Sequence, residues 1–281
     1  MTKKPIAWIT DSTAYIADDL KNHPDFYSIP LNIHFGEKQF VDGVDLTPAQ
    51  LYENIKNATE FPKTSQPSAG EFAEKFKSIA ENYEQAIAVH VSAELSGTLA
   101  SSMAGAEIAD FPITFIDSRS LSYGITGLID KGIALQNEGA SVTEIKEQLE
   151  KMTGTLKNFI YIGKLEQLYK GGRMNGVQFF LGSLLKVKPI IQLTSDGKLE
   201  AIDKVRSEKK ALQYLVDKVA EGHQKGKGKV YLMQGNALET AEQLKALITS
   251  QVPDLSVEIG DISSTLAVHA GEGTIAMLWY D

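Results

Sequence analysis

The sequence predicts an α/β protein with two domains and mostly parallel sheets. Apolar runs of strand length alternate with helical segments along nearly all of the 281 residues, an order typical of parallel sheets with crossover helices. A chain of this length can bury more than one core. The segment 153–158 follows a capped helical segment and precedes a new apolar strand. We therefore expect an N-terminal domain at 1–156 and a C-terminal domain at 157–281.

The N-terminal half begins with a strand at 5–9, and the runs at 27–35 and 38–41 predict a hairpin that turns at Gly36-Glu37. Thr47-Pro48 places a capping residue before a proline at the first helical position. Ser68 with Glu71, and Ser141 with Glu144, have capping-box spacing and predict two more helix starts. Between these two helices the sequence predicts strands at 85–91 and 113–116 and a helix of small residues at 99–109.

The C-terminal half continues the alternation of strands and helices. Its predicted strands are 159–163, 190–194, 199–205, 230–234, 255–259, 267–269 and 276–280, and its predicted helices are 165–169, 175–185 and 238–248. The helix at 175–185 is apolar over most of its circumference, which indicates burial between layers.

Turns rich in hydroxyl groups are the most informative local feature. One follows the strand at 85–91 and reads Ser92-Ala93-Glu94-Leu95-Ser96-Gly97-Thr98. Others are Thr10-Asp11-Ser12-Thr13, Thr64-Ser65-Gln66-Pro67-Ser68 and Asp117-Ser118. Hydroxyl and backbone N–H groups at a helix start suit an anionic ligand. Because parallel strands end at one edge of their sheet, these turns could converge on one crevice.

The composition of the chain argues against several classes of protein. The formal net charge is −8, with 28 Lys and Arg against 36 Asp and Glu, which disfavours a general binder of nucleic acid or of anionic membranes. Cysteine is absent, so disulfides and thiolate chemistry are excluded. The N-terminal apolar run is too short for a secretory signal, and no segment reaches the length of a membrane span. We expect a cytoplasmic protein that does not insert stably into membranes.

Several catalytic and cofactor motifs are missing from the sequence. It contains no G-x-x-x-x-G-K-[ST] phosphate loop, no G-x-G-x-x-G at a strand-to-helix junction, no G-x-S-x-G elbow and no H-E-x-x-H. Its five histidines are scattered and cysteine ligands are absent, which makes a zinc site improbable. We expect no metal and no cofactor.

Ser96 allows three interpretations: a structural cap, a hydrogen-bond donor to a ligand, or a nucleophile. A nucleophilic serine needs a base such as histidine and a group that orients the base, and spacing in the sequence identifies neither. His90 lies inside an apolar strand, and we interpret it as a core residue. The recurrence of hydroxyl-rich turns favours ligand contact for Ser96.

The hydroxyl-rich turns, together with two later motifs, resemble the DegV family in content and order. The later motifs are Tyr169-Lys170-Gly171-Gly172-Arg173 and Leu184-Leu185-Lys186-Val187-Lys188-Pro189-Ile190. The resemblance spans nearly the whole chain. It implies a two-domain α/β protein that holds a long-chain fatty acid between its domains. Family members of known role, called FakB, present the fatty acid to a separate ATP-dependent kinase, which converts the carboxylate to an acyl-phosphate for phospholipid synthesis.

The resemblance also implies roles for individual residues. Thr64 and Ser96 correspond to the hydroxyls that bind the carboxylate, supported by Gly97 and Thr98, and His269 lies near them. Arg173 and Arg206 would lie at the mouth of the site and face the kinase. An alternative for Arg173 is a C-terminal helix or carbonyl contact after Gly171-Gly172. The resemblance also implies an acyl tunnel, and on that interpretation Phe179, Phe180 and Leu184 of the apolar helix at 175–185 line it.

This chain departs from the family pattern after the histidine. The family usually has His-x-Gly-Pro-Gly, whereas this chain has His269-Ala270-Gly271-Glu272-Gly273. The change removes a proline, and Glu272 brings a negative charge near the anionic site that the resemblance implies.

The leading hypothesis is therefore a fatty-acid carrier without catalytic residues of its own, serving a kinase. An enzyme with hydrolase or phosphotransferase activity through Ser96 and His269 is the alternative, and a lipid-sensing regulator would use the same pocket.

Overall fold

The computed structural model describes residues 2–173, 188–222 and 228–281. Its strands are β1 (Lys4–Asp11), β2 (Phe26–Ile29), β3 (Asn32–Phe35), β4 (Lys38–Val41), β5 (Lys63–Ser65), β6 (Tyr83–His90), β7 (Ile113–Asp117), β8 (Leu156–Tyr161), β9 (Lys188–Leu193), β10 (Leu199–Val205), β11 (Lys229–Gly235), β12 (Ser256–Asp261) and β13 (Thr274–Tyr280). Its helices are α1 (Asp18–Lys21), α2 (Pro48–Asn57), α3 (Ala69–Ala80), α4 (Thr98–Ala109), α5 (Tyr123–Asn137), α6 (Val142–Thr153), α7 (Leu165–Lys170), α8 (Glu208–Gly222), α9 (Leu238–Gln251) and α10 (Ser264–Ala270). The α/β class is confirmed. None of the described helices is long and apolar enough to cross a membrane.

The N-terminal sheet has the strand order β2-β1-β6-β7, and its pairings are parallel, as expected. Helices cover both faces, which a parallel sheet requires. Phe72 and Phe76 of α3 pack on one face, and Ile125 and Leu128 of α5 pack on the other. This arrangement brings the turns after β1, β6 and β7 to one edge of the sheet.

A small antiparallel sheet with the order β4-β3-β5 lies beside the main sheet. The predicted hairpin at Gly36-Glu37 is confirmed and joins β3 to β4. The predicted strand at 27–35 is two strands, however, because Pro30 lacks the N–H that a continuous ladder needs. β2 pairs with β1, whereas β3 pairs with β5 and thereby positions Thr64 opposite Ile33.

The six-stranded sheet has the order β10-β9-β8-β13-β11-β12 and corrects one part of the expectation. Among its described pairings β11 with β12 is parallel, and the other four are antiparallel. A tight turn, closed by a hydrogen bond from the Thr194 N–H to the Lys198 carbonyl (2.8 Å), forces β9 and β10 to run in opposite directions. The last strand, β13, then inserts between β8 and β11, antiparallel to both.

Three predicted helix starts are confirmed, whereas one predicted strand is a helix in the structure. Thr47, Ser68 and Ser141 form the predicted capping boxes. The predicted strand at 267–269 is wrong, because these residues belong to α10, whose N-terminus is capped by the Ser263 side chain accepting from the Leu266 N–H. This cap satisfies the Leu266 N–H in the first turn of the helix. The short apolar pattern at 267–269 does not reveal that a helix begins there. α10 places His269 in its last turn.

The described strands of the first two sheets lie within residues 4–117, and those of the six-stranded sheet lie within 156–280. β8 begins at Leu156. The division into domains at 1–156 and 157–281 stays a prediction.

Candidate functional site

An apolar cavity lies between the turns of the N-terminal sheet and the face of the six-stranded sheet. Its volume is about 90 Å³. The apolar side chains that line it are Leu31, Val91, Leu95, Leu121, Ile160, Ile162, Leu168, Ile191, Leu199, Ile262, Leu266, Ala270 and Ala276. Sequence reasoning missed this lining, because a strand residue that faces a cavity has the same apolar pattern as one that faces the core.

Thr64, Ser96 and His269 line this cavity together. Thr64 Oγ1 and His269 Nε2 are hydrogen-bonded at 2.8 Å, although 205 positions separate them in sequence. The structure therefore brings three of the sequence-predicted carboxylate-binding residues to one place. They come from β5, from the turn before α4, and from α10.

Thr98 contacts Ser96 directly. Ser96 Oγ is 2.8 Å from Thr98 Oγ1 and accepts from the Thr98 N–H at 3.3 Å. Thr98 is fully buried and does not line the cavity. A methyl carbon added to Gly97 would lie 2.8 Å from the amide nitrogen of Gln66, at the far end of a flexible side chain. The expected supporting role of Gly97 stays a prediction.

The His269 imidazole is neutral at physiological pH. Burial lowers its pKa to about 3, and the nearby positive charge of Arg173 acts in the same direction. The ring meets the cavity through Nε2 and Thr64, whereas Nδ1 is buried without a hydrogen-bond partner among the described residues. Nδ1 faces Gly171 so closely that a methyl carbon on that residue would overlap it. The neutral ring can therefore be hydrogen-bonded to Thr64 without bringing a positive charge into the cavity.

Arg173 lies in the cavity wall, half-buried, and not on a surface turn. Its Nη1 donates to the Gly171 carbonyl (2.6 Å) and its Nε to the Leu95 carbonyl (3.4 Å). Burial lowers the pKa of the guanidinium, and no carboxylate forms an ion pair with it within the described parts of the chain. The alternative interpretation, a carbonyl contact, is thus observed together with a place in the cavity wall.

Arg206 is exposed and follows β10 at the end opposite Leu199. Leu199 lines the cavity, whereas Arg206 does not. The expected role of Arg206 at a kinase-facing rim stays a prediction. Phe179, Phe180 and Leu184, with the whole predicted helix at 175–185, lie outside the described residues.

The charge of Glu272 is compensated locally. Its carboxylate pairs with Lys164 (3.1 Å) and Lys56 (3.4 Å) and accepts from the Asn236 side chain (2.6 Å). The Lys164 contact holds the pKa of Glu272 below its usual range. The departure from the family pattern at this position therefore does not leave a free negative charge beside His269.

A second histidine has hydrogen bonds in a Ser-His-Asp order. His90 Nδ1 lies 3.0 Å from Asp11 Oδ2, and His90 Nε2 lies 2.9 Å from Ser102 Oγ. All three residues have no exposed surface, which confirms His90 as a core residue with satisfied nitrogens. For Ser96, the described hydroxyl partner is Thr98 and not a histidine. No cluster of three or more potential metal ligands occurs in the described residues.

Comparison with known proteins shows the family to which this chain belongs. The family model described as "Uncharacterised protein, DegV family" matches residues 5–281. A DegV domain-containing protein of Halalkalibacterium halodurans is 34% identical over 283 residues, which cover 100% of this chain and 99% of that protein. The chain belongs to the DegV family.

Two solved structures resemble this DegV-family chain along nearly its full length. The fatty acid binding DegV family protein of Streptococcus agalactiae has a TM-score of 0.90 at 29% identity, covering 99% of this chain and 98% of that one. The fatty acid kinase (Fak) B3 protein of Streptococcus pneumoniae, loaded with linoleic acid, has a TM-score of 0.85 at 25% identity and covers 99% of each chain. The first of these proteins is described as fatty acid binding, and the second carries a bound fatty acid.

Proposed function

We propose that this chain binds a long-chain fatty acid, with its tail in the apolar cavity and its carboxylate beside Thr64, Ser96 and His269. The observation that carries this proposal is the polar end of an otherwise apolar cavity, where the half-buried Arg173 has no carboxylate partner in the described chain. A buried cation without a counter-charge is unfavourable. A fatty-acid carboxylate would provide that charge.

The tail would supply most of the binding free energy. Burying about 16 carbons at roughly 0.8 kcal/mol per methylene gives on the order of 12 kcal/mol before ordering costs. The cavity of about 90 Å³ is smaller than the roughly 150 Å³ in which an engineered cavity binds benzene. The apolar side chains that line the cavity would contact part of such a tail.

The head group needs donors, because a buried carboxylate without partners costs several kcal/mol. The Thr64 and Ser96 hydroxyls can donate while staying neutral. Arg173 already donates to the Gly171 and Leu95 carbonyls, so a bidentate pair with the carboxylate would compete with these bonds. A carboxylate held mainly by neutral donors keeps more of its nucleophilic character for a later phosphorylation.

Organic extraction tests the carrier function directly. Protein purified from a lipid-containing host should release a long-chain fatty acid in stoichiometric amount, identified by mass spectrometry. A protein that is empty after purification, and that also fails to bind added fatty acid, would overturn the proposal.

Replacing Ser96 by alanine separates ligand contact from nucleophilic catalysis. As a hydrogen-bond donor, Ser96 should contribute about 1 to 3 kcal/mol, so Ser96→Ala weakens fatty-acid binding by that amount. Binding titrations of Ser96→Ala and of Ser78→Ala, an exposed serine of α3, measure the difference. A trapped acyl-Ser96 adduct with turnover would favour the enzyme alternative.

We further propose that the bound carboxylate is presented to a separate ATP-dependent kinase. Two observations support this: the missing phosphate loop in this sequence, and the likeness to a protein named as part of a fatty acid kinase. The purified chain with ATP and Mg²⁺ should form no acyl-phosphate, and adding a bacterial fatty acid kinase subunit should start the reaction. Acyl-phosphate formed by the chain alone contradicts this proposal.

The exposed Arg206 gives a test of presentation that is separate from lipid binding. Because Arg206 is exposed and does not line the cavity, Arg206→Ala should retain bound fatty acid yet lose most kinase-dependent phosphorylation, since a surface cation can guide docking of an acidic or ATP-bearing partner. Arg173→Ala should lower both quantities, because Arg173 lines the cavity. Lys75→Ala, an exposed cation of α3, is the control. Phosphorylation of Arg206→Ala at the parental rate would disprove this role.

A further inference from the structure

Asp42 is a buried carboxylate immediately after β4, with 3% of its surface exposed. It receives three hydrogen bonds. The Ser12 hydroxyl donates to Oδ2 (2.9 Å), the Thr265 N–H donates to Oδ2 (3.2 Å), and the Ser264 N–H donates to Oδ1 (3.2 Å). Burial raises the pKa of this carboxyl, and the three donors oppose that shift. One side chain thus connects the turn after β1 with the first turn of α10.

Asp42 also connects α10, which carries His269, to the small sheet that carries Thr64. Asp42 follows β4, which belongs to the same small sheet as β5 and Thr64. The helix α10 carries His269 in its last turn. The Thr64–His269 hydrogen bond therefore joins this sheet to the C-terminal end of the helix, whereas Asp42 joins the sheet side to its N-terminal end.

The anchor at the N-terminal end is built from several contacts. Besides the two N–H groups held by Asp42, the Ser264 hydroxyl donates to the Leu46 carbonyl at 3.3 Å. At the other end, the described contacts of the His269 ring are one hydrogen bond at Nε2 and a close approach of Gly171 to Nδ1. The orientation of the ring therefore depends on where the helix starts as well as on its own contacts.

We propose that Asp42 is a positioning residue that fixes α10 against the β4-β3-β5 sheet and so holds the His269 ring beside Thr64. Through that pair it sets the carboxylate end of the fatty-acid site, and this consequence rests on the proposed function. The placement of the ring itself does not rest on it, and can be measured without lipid.

The test uses Asp42→Asn in the full-length, lipid-free protein. The amide keeps the size of the side chain but presents an NH₂ group to one of the N–H donors, so one anchor of α10 becomes repulsive. NMR titration of the imidazole follows His269, whose pKa is about 3 in the parent. We expect the pKa to rise toward its ordinary value of 6.5 as the ring leaves its buried position. Fatty-acid affinity should fall by about tenfold or more, a loss typical of one misplaced polar contact.

Asp45→Asn is the matched control. Asp45 belongs to the same turn region and accepts from the Val41 N–H at 2.9 Å, and it is exposed. Its replacement removes a carboxylate of the same hairpin without altering the α10 anchor. A folded Asp42→Asn protein in which His269 titrates as in the parent and in Asp45→Asn would overturn the inference.

A second variant covers the case in which Asp42→Asn does not fold. Ser264→Pro removes the N–H that donates to Oδ1 and leaves the carboxylate intact. Position 264 is the first residue of α10, where proline is well tolerated, and Ser263 already has the extended conformation (φ −63°, ψ 162°) that precedes a proline. The His269 pKa should rise here too, and an unchanged value contradicts the inference. If the parent binds no fatty acid, the proposed function fails while the titration still decides the role of Asp42.

Discussion

Replacing Gly171 by alanine should displace the His269 ring and weaken fatty-acid binding more than the loss of a single hydroxyl. The added methyl carbon would overlap His269 Nδ1 and would lie 3.0 Å from the Gln167 carbonyl oxygen. Gly171 itself has ordinary helical angles (φ −74°, ψ −5°), so alanine is compatible with the backbone and the penalty comes from contact alone. Overpacking of this kind costs about 1 to 3 kcal/mol in the free energy of unfolding.

Denaturant unfolding and fatty-acid titration of Gly171→Ala measure both effects. Gly154→Ala is the matched control, because Gly154 ends α6 with nearly the same angles (φ −78°, ψ −8°) and its nearest neighbour, the Lys151 carbonyl oxygen, would be 3.8 Å away. The control should be neutral or slightly stabilising. Equal stability and equal lipid affinity of the two variants would show that the approach of Gly171 to the ring has no role.

The free energy of unfolding of the lipid-free protein should decrease as the pH is lowered, and part of this decrease should come from His269. The folded state holds the pKa of this ring near 3, whereas in the unfolded chain it is about 6.5. Because the folded pKa is the lower one, the unfolded state takes up the proton first. The contribution is fully present above pH of about 6.5 and is lost as the pH falls toward about 3. The loss amounts to at most a few kcal/mol, since one pKa unit is worth about 1.4 kcal/mol.

Unfolding free energies of the parent and of His269→Gln, measured between neutral and acidic pH, isolate this contribution. Carboxylates titrate in both proteins, so their effect cancels in the difference. The parent should lose more stability than His269→Gln over this range. Parallel curves would mean that the ring is already solvated in the folded protein.

The sequence predicted those residues of the candidate site that lie in a recognisable local motif or that match the motifs of a known family. The turns with Thr64 and Ser96 are visible as hydroxyl-rich segments before helices, and the resemblance to the DegV family assigns them to a carboxylate. Their role in binding remains a prediction, although the structure places them in one cavity. Arg173 shows the limit: its motif is visible in the sequence, but its burial against Leu95 is not.

By itself the sequence determined the α/β class and the capped helix starts, because capping boxes and strand patterns act over a few neighbouring residues. It also determined the membership of the DegV family, through the content and order of its motifs. Only the tertiary structure decided the antiparallel pairing around β13, the helix that carries His269, and the pairing of Glu272 with Lys56 and Lys164. Some of these features depend on contacts between segments more than two hundred residues apart, such as the Lys56–Glu272 pair and the Thr64–His269 bond. The free energy of such contacts comes from packing and from the exclusion of water, which no local pattern records.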